Sequence, residues 1–423
     1  MSTAYDAKPA LSLGPNYRKV WASAAASNLA DGVFWVALPL IAITLTTEPA
    51  LVAGVSIAAR LPWLFFVLFA GAIADRVDRR STMRNVQLSR VAVVALLAVM
   101  AASDTLSLPL LYAAALLLGI GETFYDTASM SIMPSIVPRE LLSRANSRLY
   151  AVEMATNELI GPPLGGLLMA AAIPLALAGS ALGYALAALG LTLVTGTFRP
   201  QRQAQHGSML GDIREGMAFL WHTPVLRTMA IMVAGFHFAD AAVFAVIVLF
   251  VVEPGPMGLD EFGYGLLMAS FAVGGLAGSL LVELAERRLG RANLITLVVV
   301  AGAVVMVIPL LTAEPLPVAA GLVTLGLAVM MWNVITVSLR QRITPDHLLG
   351  RLNAAYRFFG WGAGPLGALA GGLIAQAFGI PAVFLLAVVI HLALLWFRRS
   401  LSDAAIEAAE DAVDAPAAAE AAS

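Results

Sequence analysis

The chain has no cysteine among its 423 residues. Disulfides, thiolate nucleophiles and cysteine-ligated metals are therefore excluded. Lysine is nearly absent as well: Lys8 and Lys19 are the only two, and both precede the first long apolar run. A phosphate-gripping loop ending in lysine cannot be built, which excludes ATP-driven work within this chain. Charge of either sign is scarce at 12% of residues, about half of what a soluble domain carries. The first fifteen residues lack the apolar core of a cleaved leader. There is no His-Glu-x-x-His and no Gly-x-Ser-x-Gly, and the five histidines (His206, His222, His237, His347 and His391) have no metal-binding spacing. No enzyme activity, cofactor or metal is expected.

What the chain has is hydrophobicity: 60% of its residues are apolar, with a mean hydropathy of +0.85. Crossing roughly 30 Å of hydrocarbon takes about 20 apolar residues, and only helices can bond all their backbone groups there without closing into a barrel. About twelve such runs occur, near 20–46, 50–74, 82–102, 108–133, 145–170, 175–197, 226–252, 262–284, 292–312, 318–340, 354–378 and 381–397. The expected fold class is an all-α membrane protein of about twelve transmembrane helices in two pseudo-symmetric six-helix bundles. Turn signals separate the runs, among them Thr47-Glu48-Pro49, Ser103-Asp104, Pro174, Glu253-Pro254-Gly255-Pro256, Glu314-Pro315 and Pro381.

Those turns carry no Arg or Lys. The alternate connections hold nearly all of them: Arg76, Arg79, Arg80, Arg84, Arg139, Arg144, Arg199, Arg202, Arg214, Arg227, Arg287, Arg288, Arg291, Arg340, Arg342, Arg351, Arg398 and Arg399. The positive-inside bias places these loops, and both termini, in the cytoplasm of a cell whose inner membrane holds the protein. Membrane orientation accounts for the arginines, so nucleic acid is not an expected partner.

The chain also repeats itself. Asp31 in Leu-Ala-Asp returns 209 positions on as Asp240 in Phe-Ala-Asp. Asp75 with Arg79-Arg80 returns as Glu283 with Arg287-Arg288, 208 positions on, and Arg144-Ala-Asn146 returns as Arg351-Leu-Asn353. Gly161-Pro162 returns as Gly364-Pro365. A duplicated bundle with charges at matching depths is the layout of a two-halved transporter. The division is a segment 1–17, a first bundle 18–197, a linker 198–225, a second bundle 226–398 and an acidic, Ala-rich tail 399–423. Within the linker, Met209-Leu210…Ile213…Met217-Ala218…Leu220-Trp221 has the spacing of an amphipathic helix on the inner membrane surface. The tail is expected to be solvated, with a fraying helix.

Gly71-Ala-Ile-Ala-Asp75-Arg76-Val-Asp-Arg79-Arg80 resembles the signature loop between spans 2 and 3 of the major facilitator superfamily, with Asp78 where that loop carries Gly. Gly161-Pro162-Pro163-Leu-Gly165-Gly166 resembles the span-5 motif of its antiporters, although Asn157 and Glu158 replace the upstream glycines. The span-4 Arg of drug–proton antiporters is absent, with Gly121-Glu122-Thr123 in that region. With Arg60-Leu-Pro62 and Pro134-Ser-Ile-Val-Pro138, the pattern over about 18–398 is similar to the enterobactin-exporter and macrolide-efflux-like subgroup. The resemblance implies a secondary active transporter that works by alternating access.

Ionisable groups inside spans are costly unless paired or wet, so they are the candidate site. Asp31 and Arg60 lie at similar depths in spans 1 and 2 and are expected to pair, either as a proton- or substrate-responsive couple or as a structural tie. Glu122 and Asp126 share a face of span 4 at i, i+4 and disfavour ionising together, which suits proton exchange. Glu153 and Asn157 share a face of span 5, beside Glu158; cavity lining for a cationic or hydroxyl-rich solute and interhelical bonding are both open. His237 and Asp240 in span 7, Asn333 in span 10 and Arg357 in span 11 complete the polar set.

A second group is expected to govern conformation: Gly71, Asp75, Arg76, Arg79, Arg80, Gly161, Pro162, Gly165 and Gly166, with Glu283, Arg287 and Arg288, and Arg144 and Arg351. Asp75 is expected to meet span 11 near Arg351, and Glu283 to meet span 5 near Arg144, locking the cytoplasmic side. The overall expectation is proton-coupled efflux of a small organic solute or drug by a monomer in the lipid bilayer. The alternatives are an importer on the same fold and a non-transporting sensor or assembly factor.

Overall fold

The computed structural model describes residues 12–66, 77–198 and 209–411. Ten of the described helices are long and apolar enough to cross a bilayer. They are α1 (Gly14–Leu45), α3 (Arg79–Ala102), α4 (Leu108–Ile136), α7 (Ile173–Thr192), α9 (Pro224–Phe244), α11 (Glu261–Leu289), α12 (Arg291–Leu311), α13 (Pro315–Arg342), α14 (Asp346–Phe378) and α15 (Ile380–Leu394). Two more crossings bring the number to twelve. One is α2 (Pro49–Phe65); the other joins α5 (Leu142–Glu153), a π-helical stretch (Met154–Ile160) and α6 (Gly161–Ala171), and a short helix, α10 (Ile247–Val251), follows α9. Proline stands in the first turn of α1, α2, α4, α6, α7, α9, α13 and α15. The first-turn N–H has no intrahelical partner, so proline starts these helices at no cost in hydrogen bonds.

Several helices run past the apolar stretches that announce them. α1 begins at Gly14 rather than near 20, and α14 at Asp346 rather than near 354. Hydropathy marks only the part at lipid depth, whereas a helix continues into the aqueous layer as long as its backbone bonds do. Span 5 differs more. Pro162 and Pro163 have no N–H to offer the carbonyls one turn back, and the helix accommodates this by widening into the π-helical stretch.

The core shows how the halves meet. At the end away from the arginines, one apolar cluster takes residues from both halves, including Ala42, Val52 and Met169 from the first and Val248, Ala368 and Phe384 from the second. At the arginine-rich end there are two separate cores. Tyr17, Met83, Ile132 and Leu191 belong to one, and Leu226, Trp332 and Leu352 to the other. The molecule is thus two bundles fused at the far end and parted at the arginine-rich end by a cleft. Leucines such as Leu96, Leu117, Leu182 and Leu189 are exposed on the outer faces, as lipid contact requires.

The linker carries α8 (Met209–His222). It is seated on the second bundle: Leu220 is buried, Glu215 pairs with Arg351, and Trp221 stacks on Phe359 at 6.1 Å. The start of the tail is docked as well, contrary to a freely solvated segment. Ile406 is buried, and Glu410 binds Arg291 at 2.8 Å and Arg342 at 3.6 Å.

Candidate functional site

The charged heart of the first half is Asp31. Arg90 of α3 approaches its carboxylate at 3.2 Å, and the Tyr184 hydroxyl of α7 donates to it at 2.7 Å. Gln87, one turn before Arg90, donates to Ser27 at 2.7 Å, one turn before Asp31. The Arg90 guanidinium also lies over the rings of Tyr125 and Tyr184, at 5.7 and 5.3 Å. Arg90 is 2% exposed, so removing either charge would strand the other in a dry interior, at a cost of about 3–5 kcal/mol.

This corrects the expected Asp31–Arg60 pair. Matching depth does not fix helix rotation: α1 packs chiefly on α7 and α6, and only lightly on its sequence neighbour α2. Arg60 points elsewhere, 5.8 Å from the Trp35 ring, within reach of the charges of Glu122 in the first half and Asp240 in the second. It is exposed, and because groups of both halves surround it, the exposure is to the cleft rather than to lipid. His237 lies close enough to feel Arg60. Asp240 is half-buried, and its Oδ1 is sealed without a hydrogen-bond partner.

Glu122 joins Asp31, Arg90 and Tyr184 in lining a small cavity with Trp35, Ala59 and Gly119. Asp126 sits within the fields of Glu122, Arg90 and Glu153, and Glu153 within that of Asp31. Glu158 and Tyr150 adjoin Glu153. The first-half wall of the cleft therefore gathers Asp31, Glu122, Asp126 and Glu153 against two guanidiniums, Arg60 and Arg90. Asn157 lies in the π-helical stretch, its carbonyl against Gly32 of α1.

Arg90, Tyr184, Tyr125 and Gln87 belong to this network but were not singled out by the sequence. Arg90 carried a usable signal, being an arginine eight residues into the run 82–102. Tyr184 and Tyr125 did not, because an aromatic in a span reads as packing.

Among the gating candidates, Gly71, Asp75 and Arg76 lie outside the described residues. Arg79 and Arg80 act within the first half as caps. Arg79 donates to the Ser131 carbonyl at 2.7 Å near the end of α4, and Arg80 to the Val194 carbonyl at 2.5 Å just past α7. Asp78 caps α3 by accepting from Ser81 N–H at 2.9 Å, and also accepts from Phe198 N–H at 2.7 Å. Partial burial works against its charge, but those N–H groups and Arg80 prevail and hold its carboxyl below the usual range. Glu283 pairs with Arg287 on its own helix, and both are three-quarters exposed. Arg144 is exposed, and Arg351 pairs with Glu215. The expected Glu283–Arg144 contact is therefore not made, because the cleft parts the bundles at this end. Arg288 is exposed too.

The span-5 glycines form a two-sided seam. A Cβ on Gly165 would lie 2.8 Å from the Val33 carbonyl oxygen of α1, in the same half, and one on Gly166 2.3 Å from the Glu261 carbonyl oxygen of α11, in the other. The second half repeats this: Gly371 abuts Ala242 of α9, and Gly372 abuts Ala50 and Ala53 of α2. Gly161 meets Gly32, and Pro162 meets Gly265 across the halves.

The repeat is not chemically symmetric. Tyr184 corresponds to His391, 207 positions on, yet His391 is buried against Phe236 and Gly302 and bonds only its own helix at Ala387. Phe236 stands where Ser27 does, one turn before Asp240. Trp332 packs on Phe236 at 4.9 Å, so an aromatic cluster replaces the Ser27–Gln87–Arg90 network. Beyond Asp240, the second half carries cations. Arg340 lies 3.7 Å over the Tyr356 ring, and Arg357 lies 5.1 Å over Trp361, which contacts Trp63 of α2 at 4.2 Å. Arg357 and Asn333 are exposed, whereas Arg340 is 8% exposed. A desolvated cation–π contact is worth about 2 kcal/mol, less than the several kcal/mol of burying an unpaired ion.

A family model described as transmembrane secretion effector matches residues 13–420. The chain is 29% identical over 385 residues to the multidrug efflux pump Tap of Mycolicibacterium fortuitum, covering 86% of this chain and 90% of that one. It is 23% identical over 381 residues to macrolide efflux protein A of Streptococcus pyogenes, covering 87% and 91%. Among solved structures, the nucleoside transporter NupG superposes with a TM-score of 0.69 at 13% identity, over 92% of this chain and 99% of that one. A bacterial homologue of the iron transporter ferroportin, in an inward-facing state, gives 0.70 at 17%, over 90% and 98%.

Proposed function

The chain belongs to the transmembrane secretion effector family of major facilitator transporters, and on that premise we propose that it exports small organic solutes in exchange for protons. The observation that carries this reading is the charge balance of the first-half wall. Four carboxylates, Asp31, Glu122, Asp126 and Glu153, face two guanidiniums: Arg90, which is already paired with Asp31, and Arg60, for which Asp240 of the other half competes. A proton or a cationic group of the solute makes up the deficit. Binding of one displaces the other, which is the logic of exchange. The names of the relatives Tap and macrolide efflux protein A support export rather than uptake, and drugs rather than nutrients.

The arginine-rich end is taken as cytoplasmic, with both termini there, in keeping with the positive-inside bias. The cleft then opens inward, ready to load solute from the cytoplasm. The driving force is the membrane potential, about 2.3 kcal/mol per charge per 100 mV, plus roughly 1.4 kcal/mol per pH unit. A monomer suffices, because one chain supplies both walls.

The test is a screen in inverted vesicles with an acidified lumen, in which each lipophilic cation or macrolide is added while lumenal pH is read. Compounds that are exported will release lumenal protons, and vesicles carrying Glu122→Gln will not respond. Solute uptake with no proton release in any case would overturn the exchange reading.

A further inference from the structure

We propose that the second-half wall contains a binding site for an oxyanion, a sulfate, phosphate or carboxylate group, centred on Arg340 of α13. Arg340 is more than nine-tenths buried, and its Nε is sealed with no hydrogen-bond partner. Among the described residues no carboxylate pairs with it; the charged and polar groups that reach it are the Tyr356 phenol and Arg357. Stacking on Tyr356 at 3.7 Å satisfies one face of the guanidinium but none of its five N–H bonds.

The neighbours share the same lack. The Tyr356 hydroxyl and the Trp332 indole Nε1 are also sealed and unpartnered, and Tyr356 adjoins Trp332 and Thr336. The Thr336 hydroxyl is already committed to its own helix, donating to the Trp332 carbonyl at 2.8 Å. Guanidinium and indole can only donate, and the one acceptor among the three groups, the phenol oxygen, lies within reach of Trp332 and Thr336 and cannot serve every donor. Buried donors in native proteins are nearly always satisfied, so a cluster with more donors than acceptors, and a sealed Arg340 Nε, calls for a further acceptor. An anion with several oxygens meets all of these donors at once, and a guanidinium fork binds oxyanions in preference to chloride by geometry as well as charge. Arg357, exposed above Trp361, adds positive field beside the site.

The first half gathers Asp31, Glu122, Asp126 and Glu153, whereas this corner of the second half gathers Arg340 and Arg357, so the two halves favour opposite charges at different places. The inference holds whatever the direction or coupling of transport. The same chemistry is offered by a soluble anionic group and by the phosphate of a lipid headgroup reaching in from the cleft mouth.

The experiment uses the full chain, purified in a neutral detergent. Its unfolding midpoint is titrated with sodium sulfate against sodium chloride at equal ionic strength, and with short-chain phosphatidylglycerol against phosphatidylcholine. The expected result is a saturable rise with sulfate, with phosphatidylglycerol, or with both, that the matched controls do not reproduce. A response to sulfate identifies a soluble oxyanion as sufficient; a response to phosphatidylglycerol alone identifies the lipid phosphate. Arg340→Gln is expected to weaken the apparent affinity at least tenfold, and Arg340→Lys to retain part of it. If Arg340→Gln does not fold, Arg357→Gln carries the test, with at least a threefold loss expected. The proposal is overturned if folded wild-type protein shows no saturable response to either probe. It is equally overturned if the response survives unchanged in Arg340→Gln or, where that variant does not fold, in Arg357→Gln.

Discussion

Asp31 and Arg90 hold the first bundle together by the same contact that sets the charge of its wall. Each is the other's compensation, so Asp31→Asn or Arg90→Gln alone leaves a buried charge unmatched. Each single variant is expected to lose about 3–5 kcal/mol of stability. The double variant, which buries no net charge, should recover much of that loss, and thermal unfolding of all three reads the coupling. A residue that served only to bind solute would show no such recovery. Asp78 acts at the same scale but outside the membrane. Its carboxyl is held below the usual range by the Phe198 and Ser81 N–H groups and Arg80 despite partial burial, so its charge stabilises the folded state. That contribution is present above the ordinary carboxylate pKa and fades as pH falls through the lowered folded value. Asp78→Ala should therefore cost about 1 kcal/mol, as loss of a helix cap does, at neutral pH. The difference from wild type should shrink in acid; a gap in unfolding midpoint that stayed constant down to strongly acidic pH would contradict it. This also accounts for an aspartate where the superfamily loop carries glycine: here the position caps α3 and clasps the end of the first bundle.

Paired glycines divide the labour between elements. Gly165 and Gly371 let helices of one half close on each other, while Gly166 and Gly372 let the halves close on one another. A methyl group on Gly166 would meet the Glu261 carbonyl, and one on Gly372 would meet Ala53, so Gly166→Ala and Gly372→Ala should favour parting of the far end. Gly165→Ala should lower stability without moving the halves. Because the chain has no native cysteine, spin labels at Asp104→Cys and Leu316→Cys report the far-end distance cleanly. A longer distance in the Gly166 and Gly372 variants, and an unchanged one in the Gly165 variant, is expected; the reverse pattern would contradict the division. At this scale the sequence was most readable, since apolar runs, proline starts and glycine spacing follow directly from what lipid and helix backbones demand. What it did not disclose was rotation about each helix axis. Depth alone suggested Asp31 with Arg60, whereas packing turned Asp31 toward α3 and α7 and left Arg60 in the cleft. The widened helix at Met154–Ile160 was equally hidden, because Pro162 and Pro163 announce a disturbance without specifying whether the helix kinks or widens.

Taken whole, the protein is a duplicated frame carrying unlike chemistry. Both halves keep the small-residue seams and an aspartate at the same place, Asp31 and Asp240. The polar network around the first is replaced by Phe236, Trp332 and His391 around the second. A duplication preserves what the rocking of two bundles requires of the backbone, and leaves the side chains facing the cleft free to diverge. The apolar core shared at the far end and the two separate cores at the arginine-rich end place the molecule at one extreme of that motion. The proposed exchange assigns proton handling to the first half, and the most direct measurement is of simultaneous solute and proton flux in proteoliposomes of purified protein. The wild type should move a lipophilic cation against protons in fixed ratio, and Glu122→Gln should equilibrate the cation without driving it uphill. Uphill movement by Glu122→Gln matching wild type, or wild-type solute flux that leaves protons unmoved, would contradict the account.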